Sequence, residues 1–559
     1  MGRIVDAYNS HLHQPGHLRS LSVRLRRLLD FSLLLLTLVL ALPVLAVLVS
    51  WLQWDSGSAQ ILGEMSRTVL PAYTLTSLAL CLAVGAGVAL VGTATAAAVT
   101  LFEFPGRRTF EWVLLLPLAM PAYVVAYAYT DFLQYSGPFQ SWLRAVTGLE
   151  GRMFPEVRSI AGAVWVFVFS LYPYVYLLAR TALGERAAHL MEAARLLGAP
   201  LSRRILRVAI PLARPAVAAG VALALMETLA DFGVSSYFGI QTFTTGIYKA
   251  WLAMDNRIAA AQLATLLLLV VAVLLSLEHR SQRRLRFAAT RGGRGSVEAR
   301  PTALRSGRVW IAWMVCGVPV LMGFVLPVLF MLRPLAADWS VLPWDRFVQW
   351  TFNSMRLGAI SAALAVGLAL ALGFSLRRGS HRATQAAVRL VGLGYAVPGA
   401  VIVVGLLLPV GWLQNAAPQV PAVYWVTGTV LGVVWAYLVR FTSVALQSVQ
   451  SGYARIPKSF DDTARMLGTA GFALMQRVHW PLLKRSATAA GLLVFVDVMK
   501  ELPATMLLRP FNTDTLAVVA YQLARDERLG EAALPSLALV LAGLLPVILL
   551  SRALRTPAR

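Results

Sequence analysis

The chain consists of apolar runs of about 20 residues, separated by short segments that are rich in arginine. A helix of that length spans the hydrocarbon core of a bilayer, which is roughly 30 Å thick. Because 58% of the residues are hydrophobic and only 14% are charged, a soluble fold could not bury the apolar surface. The sequence therefore predicts an all-α polytopic membrane protein with about 12 transmembrane helices.

The formal net charge of +24 reflects membrane topology and does not indicate nucleic-acid binding. The basic residues stand in clusters between the apolar runs, as the positive-inside rule expects of cytoplasmic loops. We therefore expect a multi-pass protein in contact with the lipid bilayer, with both termini in the cytoplasm and no nucleic-acid partner. Cys81 and Cys316 lie within apolar runs and are expected to be small core residues.

A polar, basic stretch that begins at His189 occurs twice in the chain. The first copy reads HLMEAARLLGAPLSRRILRVAIPLARP, and KSFDDTARMLGTAGFALMQRVHWPLLKR follows with its matching residues 270 positions later. A gapless match of this size predicts that the chain is two copies of one unit. The matching residues include Ala194 and Ala464, Arg195 and Arg465, Leu197 and Leu467, Gly198 and Gly468, and Pro211 and Pro481.

The apolar runs and the repeat together predict four consecutive segments. These are a cytoplasmic N-terminal tail at 1–28, a first unit of six spans at 29–277 with the repeated stretch at 189–212, a basic, flexible cytoplasmic linker at 278–308, and a second unit of six spans at 309–559 with the stretch at 459–482. Six spans in each unit give both units the same orientation. The two units are therefore expected to be related by a pseudo-two-fold axis along the membrane normal.

Each repeated stretch is predicted to form a short amphipathic helix. Glu192 and Asp462 are expected in the first turns of the two helices, where the helix dipole favours acids, and Gly198 is expected to allow a sharp exit. The structural alternative is a surface helix that lies on the bilayer, but a double occurrence favours docking to a two-fold partner. In the first copy, helical i, i+3, i+4, i+7 spacing defines an apolar face of Leu190, Ala193, Ala194 and Leu197.

A pair of acids follows each repeated stretch, one span later and again at the 270-residue shift. Each pair has i, i+4 spacing, so both carboxylates are expected on one helix face. Acids inside a membrane are costly and by default indicate function. The pairs are Glu227 with Asp231 and Asp497 with Glu501.

Two interpretations of these four acids stay open. They could line a central pathway and favour a hard cation, for which oxygen is the natural ligand. They could also pair with Lys500, Arg509 or backbone near the outer mouth and hold a gate shut. Nearby tyrosines could add oxygens, although anchoring at the membrane interface is more typical of such residues: Tyr123, Tyr127 and Tyr129.

The chain contains no G-x-x-x-x-G-K-[ST] motif and no Gly-Lys pair. It therefore lacks the phosphate-binding loop that a nucleotide-hydrolysing subunit of this kind needs. If transport by this chain is driven by ATP, the ATPase must be a separate protein. We also find no metal-ligand cluster and no nucleophile–base set that would support an enzyme.

The repeated stretch resembles the EAA loop of ATP-binding-cassette (ABC) importer permeases, in which a short coupling helix inserts into a groove of the ATPase. The resemblance covers essentially the whole chain as two fused permease units of type I importer architecture. The first copy, EAARLLG…IP, matches well, whereas the second, DDTARMLG…WP, has an acid and a threonine in place of Glu-Ala. The coupling-helix residues that it implies are Glu192, Ala193, Ala194, Leu197, Gly198, Asp462, Ala464, Leu467 and Gly468.

The segment MKELPATMLLRPFNTDTLA, with ETLADFG earlier, closely resembles the ferric-iron branch of these permeases. The resemblance implies a bacterial inner-membrane subunit that receives Fe³⁺ from a periplasmic ferric-iron-binding protein. It also implies a homodimeric ABC ATPase that binds ATP and Mg²⁺, no cofactor on this chain, and the four membrane acids as transient Fe³⁺ ligands. Related permeases carry thiamine, aminophosphonates, sulfate or polyamines, so another small solute is the alternative, and an ion-coupled secondary transporter is less favoured.

Overall fold

The computed structural model describes residues 16–52, 56–184, 188–289, 301–304, 307–337, 339–340, 342–378, 382–469 and 471–554. These residues are almost entirely helical. In chain order, the helices before the basic linker are α1 (Gly16–Val49), α2 (Ser56–Thr68), α3 (Leu70–Leu101), α4 (Arg107–Val113), α5 (Ala122–Leu133), α6 (Pro138–Thr147), α7 (Ile160–Ala182), α8 (Ala188–Leu196), α9 (Leu201–Arg204), α10 (Ile210–Ala230), α11 (Gly233–Tyr237), α12 (Phe243–Tyr248) and α13 (Arg257–Ala289).

The second part of the chain has a similar succession of long and short helices. They are α14 (Gly307–Val320), α15 (Leu326–Ala337), α16 (Trp344–Arg377), α17 (Arg382–Gly392), α18 (Gly399–Ala416), α19 (Ala422–Thr427), α20 (Leu431–Ala454), α21 (Lys458–Met466), α22 (Gly471–Leu474), α23 (Trp480–Lys500), α24 (Pro503–Leu508), α25 (Leu516–Arg525) and α26 (Leu529–Leu554). Two short strands, β1 (Phe102–Glu103) and β2 (Thr302–Ala303), pair in parallel.

Ten of the described helices are long and apolar enough to cross a membrane. The bent pair Arg107–Ala119 and Ala122–Thr147, whose parts meet at 87°, would make an eleventh span among the described residues. The predicted all-α polytopic fold is confirmed, with ten or eleven such spans against the twelve expected. The span expected at about 486–507 falls largely on α23, which is 21 residues long but carries the charged residues Lys484, Arg485, Asp497 and Lys500.

Close packing of the first spans depends on glycines that face α7. A Cβ added at Gly92 of α3 would lie 2.6 Å from the Val175 Cβ and 2.9 Å from the Tyr172 carbonyl oxygen. A Cβ at Gly220 of α10 would lie 2.6 Å from the Cα of the same valine. The small residues therefore let α3 and α10 approach the backbone of α7, as expected of helices packed in lipid.

Contacts divide the chain into two compact units that are not consecutive halves. The smaller unit comprises Met1–Leu42, Ala362–Tyr395 and Leu438–Gly491, and the larger comprises Pro43–Ser361, Ala396–Tyr437 and Leu492–Arg559. The smaller unit contains α21, and the larger contains α8. The predicted segment boundaries at residues 28, 277 and 308 stay predictions.

The tail and the linker contain regular structure. Helix α1 begins at Gly16, within the predicted tail, and α13 continues to Ala289, within the predicted linker. Strand β2 also lies in that linker, where the Leu304 amide donates to the Glu103 carbonyl at 3.0 Å. The expectation of a flexible linker is thus wrong for 278–289 and 302–304, because the span helix continues through good helix formers and the strand finds a partner. Residues 1–15, 290–300 and 305–306 lie outside the described part.

Backbone features of the two repeated stretches recur at the 270-residue shift. The bounds of α8 become those of α21 when 270 is added, and the bounds of α10 become those of α23. Between them, a π-helical turn at Ile205–Ala209 recurs at Met475–His479. Elsewhere, the Ser77 hydroxyl accepts a bond from the first amide of α12, and the Ser354 hydroxyl accepts one from the first amide of α25. The sequence repeat therefore extends to local structure.

Candidate functional site

The first repeated stretch forms α8, which exposes large apolar side chains together with Glu192 and Arg195. Leu196 and Leu197 are 83% and 87% exposed at its end, and Leu190 is 51% exposed. On the opposite side Met191 is buried and Ala194 is half-buried. Of the predicted apolar face, Leu190, Leu197 and the exposed Ala193 therefore point outward.

The second stretch forms α21, and its exposure pattern repeats that of α8. Met466 and Leu467 are 90% and 78% exposed, and Phe460 is 51% exposed. Ala464, which matches Ala194, is buried. Large apolar side chains that are held outward on a polar segment between membrane spans are typical of a surface that a partner covers.

Both helices end in the same way, at a glycine in the left-handed conformation. Gly198 has φ +75°, and its amide donates to the Arg195 carbonyl at 3.0 Å. The Ala199 amide donates to the Ala194 carbonyl, also at 3.0 Å, which completes a Schellman-type end. Gly468 has φ +77° and the same two bonds, at 3.0 and 2.8 Å. The sharp exit predicted at Gly198 is confirmed, and Gly468 repeats it in the second copy.

The motif acids do not lie in the first turn, and that expectation is wrong. Both helices begin well before the motif, so Glu192 and Asp462 fall in the second turn. Each pairs with the arginine three residues later, Arg195 at 3.7 Å and Arg465 at 3.1 Å. Because these pairs are exposed, they contribute at most about 1 kcal/mol, and the carboxylates stay accessible to a partner. The acid in the first turn of α21 is Asp461.

Arg377, the last residue of α16, is buried against the start of α21, with 9% of its side chain exposed. Its guanidinium donates to both oxygens of the Asp461 carboxylate, from Nε at 2.7 Å and from Nη2 at 3.1 Å. The other bonds go to the carbonyls of Tyr453, Ile456 and Pro457, at 3.1, 2.9 and 3.0 Å. One side chain thus ties the end of α20 to the first turn of α21.

His479 completes this buried group. It is the last residue of the π-helical turn before α23, and its side chain is fully buried. Its Nε2 lies 3.0 Å from Oδ1 of Asp461, and its Nδ1 lies 3.4 Å from the Tyr453 hydroxyl. The rings of Phe374 and Tyr453 pack edge-on against the imidazole.

The protonation state of Asp461 follows from these contacts. Burial of the carboxyl raises its pKa, but the hydrogen bonds and charges of Arg377 and His479 outweigh burial and leave the pKa below its ordinary value. The carboxylate is therefore ionised at neutral pH. Helical periodicity missed this group. The adjacent Asp461 and Asp462 were the available signal, because neighbouring residues on a helix point about 100° apart, and one of them therefore faces inward.

The second acid of each membrane pair lies at a break in its span. Helix α10 ends at Ala230, and the Asp231 carboxylate caps α11 by accepting from the amides of Val234 at 2.8 Å and Ser235 at 3.3 Å. The expectation that both acids of a pair lie on one helix face is therefore wrong, because the helix ends one residue before the second acid.

Glu501 has the same role in the other copy and is more deeply buried. Its two carboxylate oxygens accept from the amides of Ala504 and Thr505, both at 3.0 Å, and from the Thr505 hydroxyl at 2.8 Å. These bonds cap α24, whose N-terminus favours a negative charge. For Asp231 and Glu501, the structure thus shows the bonding to backbone that was one of the two open interpretations.

The first acid of each pair, Glu227 or Asp497, lies on the long helix and is half-buried. Both carboxylates interact electrostatically with the ammonium group of Lys500, which donates a hydrogen bond to the Leu118 carbonyl at 3.0 Å. Arg509, the other predicted partner, donates to Asp514 at 2.7 Å. The second acid of each pair therefore caps a helix break, and the half-buried ammonium group of Lys500 stands at the end of α23, one residue before Glu501.

Tyrosines fill the space beside the two breaks. Tyr123 and Tyr127 are buried with ring centroids 5.7 Å apart, and the Tyr123 hydroxyl donates to the Lys500 carbonyl at 3.3 Å. The Tyr129 hydroxyl donates to the Met322 carbonyl at 2.7 Å. Since all three are buried in the protein, the role expected for them as anchors at the membrane interface is wrong. In the part of the chain that the structure describes, no group of three His, Cys, Asp or Glu side chains could hold a metal ion.

Comparison with known proteins matches residues 89–287 to the family described as binding-protein-dependent transport system inner membrane component. The Fe(3+)-transport system permease protein FbpB 2 of Haemophilus influenzae is 24% identical over 94% of this chain and 98% of its own length. The probable ABC transporter permease protein y4fN of Sinorhizobium fredii is 25% identical over 84% of this chain and 86% of its own length. The sulfate transport system permease protein CysT of Escherichia coli is 28% identical over 37% of this chain and 71% of its own length.

Proposed function

The chain is a permease of the binding-protein-dependent transport family, and on that premise we propose that it imports ferric iron. A periplasmic binding protein delivers Fe³⁺, and a separate homodimeric ATPase drives its passage into the cytoplasm. The observation that supports the ATPase partner is the doubled helix, α8 and α21, with the same exposed apolar end. The full-length likeness to a relative named as an Fe(3+)-transport permease supports the substrate.

Each docking helix connects directly to a membrane helix. After Gly198, the chain is helical without a break from α9 through the π-helical turn to the end of α10. Helix α10 has 21 residues and is therefore about 30 Å long, which carries it across the hydrocarbon core. A displacement of α8 by the ATPase would thus reach the helix break at Asp231. The same route in the other copy leads from α21 through α23 to Glu501.

The groups beside the breaks suit a hard cation. Carboxylate and phenol oxygens are ligands of the hard type that Fe³⁺ accepts, and Glu227 and Asp497 stand on the two equivalent helices. The half-buried ammonium group of Lys500 lies near them, where its charge would oppose long residence of a cation. A pathway must bind its solute weakly enough to release it. These residues therefore fit passage of Fe³⁺ better than storage of it.

A second candidate is the same architecture with an anionic or other small solute. Lys500 is the observation that favours it, because its half-buried ammonium group would attract sulfate or a phosphonate. Relatives over part of the chain are named as sulfate and 2-aminoethylphosphonate permeases. Thiamine remains a further alternative.

Reconstitution tests the proposal directly. The chain would be placed in liposomes with its ATPase inside and the loaded binding protein outside, and uptake of radioactive Fe³⁺, sulfate, 2-aminoethylphosphonate and thiamine would be compared. We expect ATP-dependent uptake of Fe³⁺ alone. The paired substitution of Glu227→Gln with Asp497→Asn should slow it without loss of protein, whereas Glu156→Gln in an exposed loop should not. Uptake of another solute, or none of Fe³⁺, would contradict the assignment of iron.

A further inference from the structure

The strongest unassigned feature of the molecule is the buried group of Arg377, Tyr453, Asp461 and His479, named here the Asp461 network. All four residues belong to the smaller compact unit. Three of them stand at the ends of long elements: Arg377 ends α16, Tyr453 lies in the last turn of α20, and His479 leads into α23. Asp461, in the first turn of α21, contacts two of these residues directly.

The Asp461 network fixes the orientation of α21 as well as its distance from the neighbouring helices. Arg377 donates to both oxygens of Asp461 and to three backbone carbonyls, so its planar group has little freedom to rotate. His479 holds the same carboxylate from the side of α23. Hydrogen bonds of this kind are directional, whereas apolar contacts are not. Helix α21 is therefore held in one orientation relative to the ends of α16, α20 and α23.

The first copy of the unit has no such network at the matching positions. Met191, Leu183 and Ala209 stand 270 residues before Asp461, Tyr453 and His479. All three are buried, with 7%, 2% and 0% of their surface exposed. The half-buried Thr100 matches Arg377 at the 277-residue shift that relates Ser77 to Ser354. The same local fold is thus built with apolar contacts in one copy and with an ionic network in the other.

Stability alone does not explain the difference. Replacement of a complete buried ion pair by apolar residues of similar volume is often neutral or stabilising. The first copy shows that apolar residues fit this arrangement of helices. We propose that Asp461, held by Arg377 and His479, is a positioning residue that makes α21 move as one body with the helices it contacts, so that hydrolysis on the ATPase is coupled to transport. This inference depends on the proposed docking of an ATPase at α21.

The test transfers the residues of the first copy into the second. The triple variant Arg377→Thr, Asp461→Met, His479→Ala and the single variant Asp461→Asn would be compared with Glu156→Gln, which changes an acid in an exposed loop outside the docking helices. In the reconstituted transporter, the ATP hydrolysed per solute imported would be measured together with co-purification of the ATPase. We expect the ratio to rise about fivefold or more in the first two variants, with the ATPase still bound, and to stay unchanged in Glu156→Gln.

Asp461→Glu supplies the conservative rescue, since a carboxylate is restored on a longer side chain, and should recover part of the coupling that Asp461→Asn loses. A wild-type ratio in both Asp461→Asn and the triple variant would overturn the proposal and leave a purely structural role. A triple variant that aggregates on size-exclusion chromatography, with a wild-type ratio in Asp461→Asn, would lead to the same conclusion. Failure of the proposed function is distinguishable, because the wild-type chain itself would then bind no ATPase.

Discussion

Helices α8 and α21 share a backbone and differ in how they are attached to the protein. Both are nine residues long, both present two large apolar side chains beside a left-handed glycine, and both carry an exposed acid that pairs three residues ahead. The inward side of α8 carries the buried, apolar Met191, whereas Asp461 on the inward side of α21 is held in an ionic network. The exposed sides of the two helices are thus alike in both copies, whereas the contacts that attach them to the protein differ.

This difference suggests a division of work between the two helices. An apolar contact can slide by a fraction of a side chain at little cost, because it is non-directional. A forked arginine–carboxylate pair in a buried site resists such movement. We therefore expect α8 to tolerate adjustment when the ATPase binds and α21 to transmit movement. The changes below break or sharpen that comparison, beginning with the largest expected effect.

Double substitution Gly198→Trp with Gly468→Trp should abolish co-purification of the ATPase. Both glycines have left-handed φ, which costs a residue with a Cβ about 1–2 kcal/mol each, and an indole would stand beside the exposed apolar residues. A Cβ meets no atom within 4 Å at either position, so the protein itself should stay folded.

Gly148→Trp is the matched control for this experiment. Gly148 also follows a helix with left-handed φ, +67°, and open space around it, but it lies after α6, outside the docking helices. It should bind the ATPase normally. Normal binding by the double variant as well would refute the docking role of both helix ends.

Asp461→Ala should destabilise the protein far more than Asp462→Ala. Removal of Asp461 leaves the buried Arg377 without its carboxylate, which typically costs 3–5 kcal/mol. Asp462 is exposed, and its pair with Arg465 contributes at most about 1 kcal/mol. Thermal unfolding in detergent would measure both. Equal melting temperatures would show that the network does not hold α21.

The helix breaks also differ between the copies, and Glu501→Gln should have a larger effect than Asp231→Asn. The Glu501 carboxylate accepts three bonds in a buried site, so an amide would place N–H groups against N–H groups there. Asparagine is itself a good cap, so Asp231→Asn loses little. We expect a loss of about 1–2 kcal/mol for the first change and a few tenths for the second, measured by thermal unfolding. The reverse order would contradict the capping roles.

The stabilisation of α21 by Asp461 should be lost only at low pH. The pKa of Asp461 is lowered by folding, so its contribution to stability is fully present above the ordinary value of 3.8 and disappears as pH falls through the lower folded value. The melting-temperature gap between the wild type and Asp461→Asn should therefore be constant from pH 7 to about 4 and shrink below that. A gap that shrinks already between pH 7 and 5 would identify a different titrating group.

Local features of the docking helices could be predicted from the sequence because they depend on neighbouring residues. The 270-residue shift located both helices, and Gly198 and Gly468 located their ends. The helix breaks had a weaker signal, a proline in one copy and a glycine in the other, at Pro503 and Gly233. We did not predict the two breaks, because the i, i+4 argument for the acids assumes that each helix continues through both acids.

The Asp461 network could not be predicted, because its partners lie far apart in the chain. Arg377 precedes Asp461 by 84 residues, and His479 follows it by 18. Helical periodicity connects only residues three or four apart. The repeat offered a hint of another kind, because at these positions the second copy has polar residues where the first has apolar ones. Only the packing of α16, α20 and α23 shows that they meet.

Cross-linking tests most directly the claim that both helices dock on the ATPase. In a chain with Cys81 and Cys316 replaced by serine, Leu197→Cys and Leu467→Cys would each be treated with a short thiol-reactive cross-linker in membranes that contain the ATPase. Both side chains are largely exposed, and we expect a cross-link to the ATPase from each position. Absence of both cross-links, with both cysteines labelled by a probe dissolved in the lipid, would show that the helices lie on the bilayer and would contradict the account.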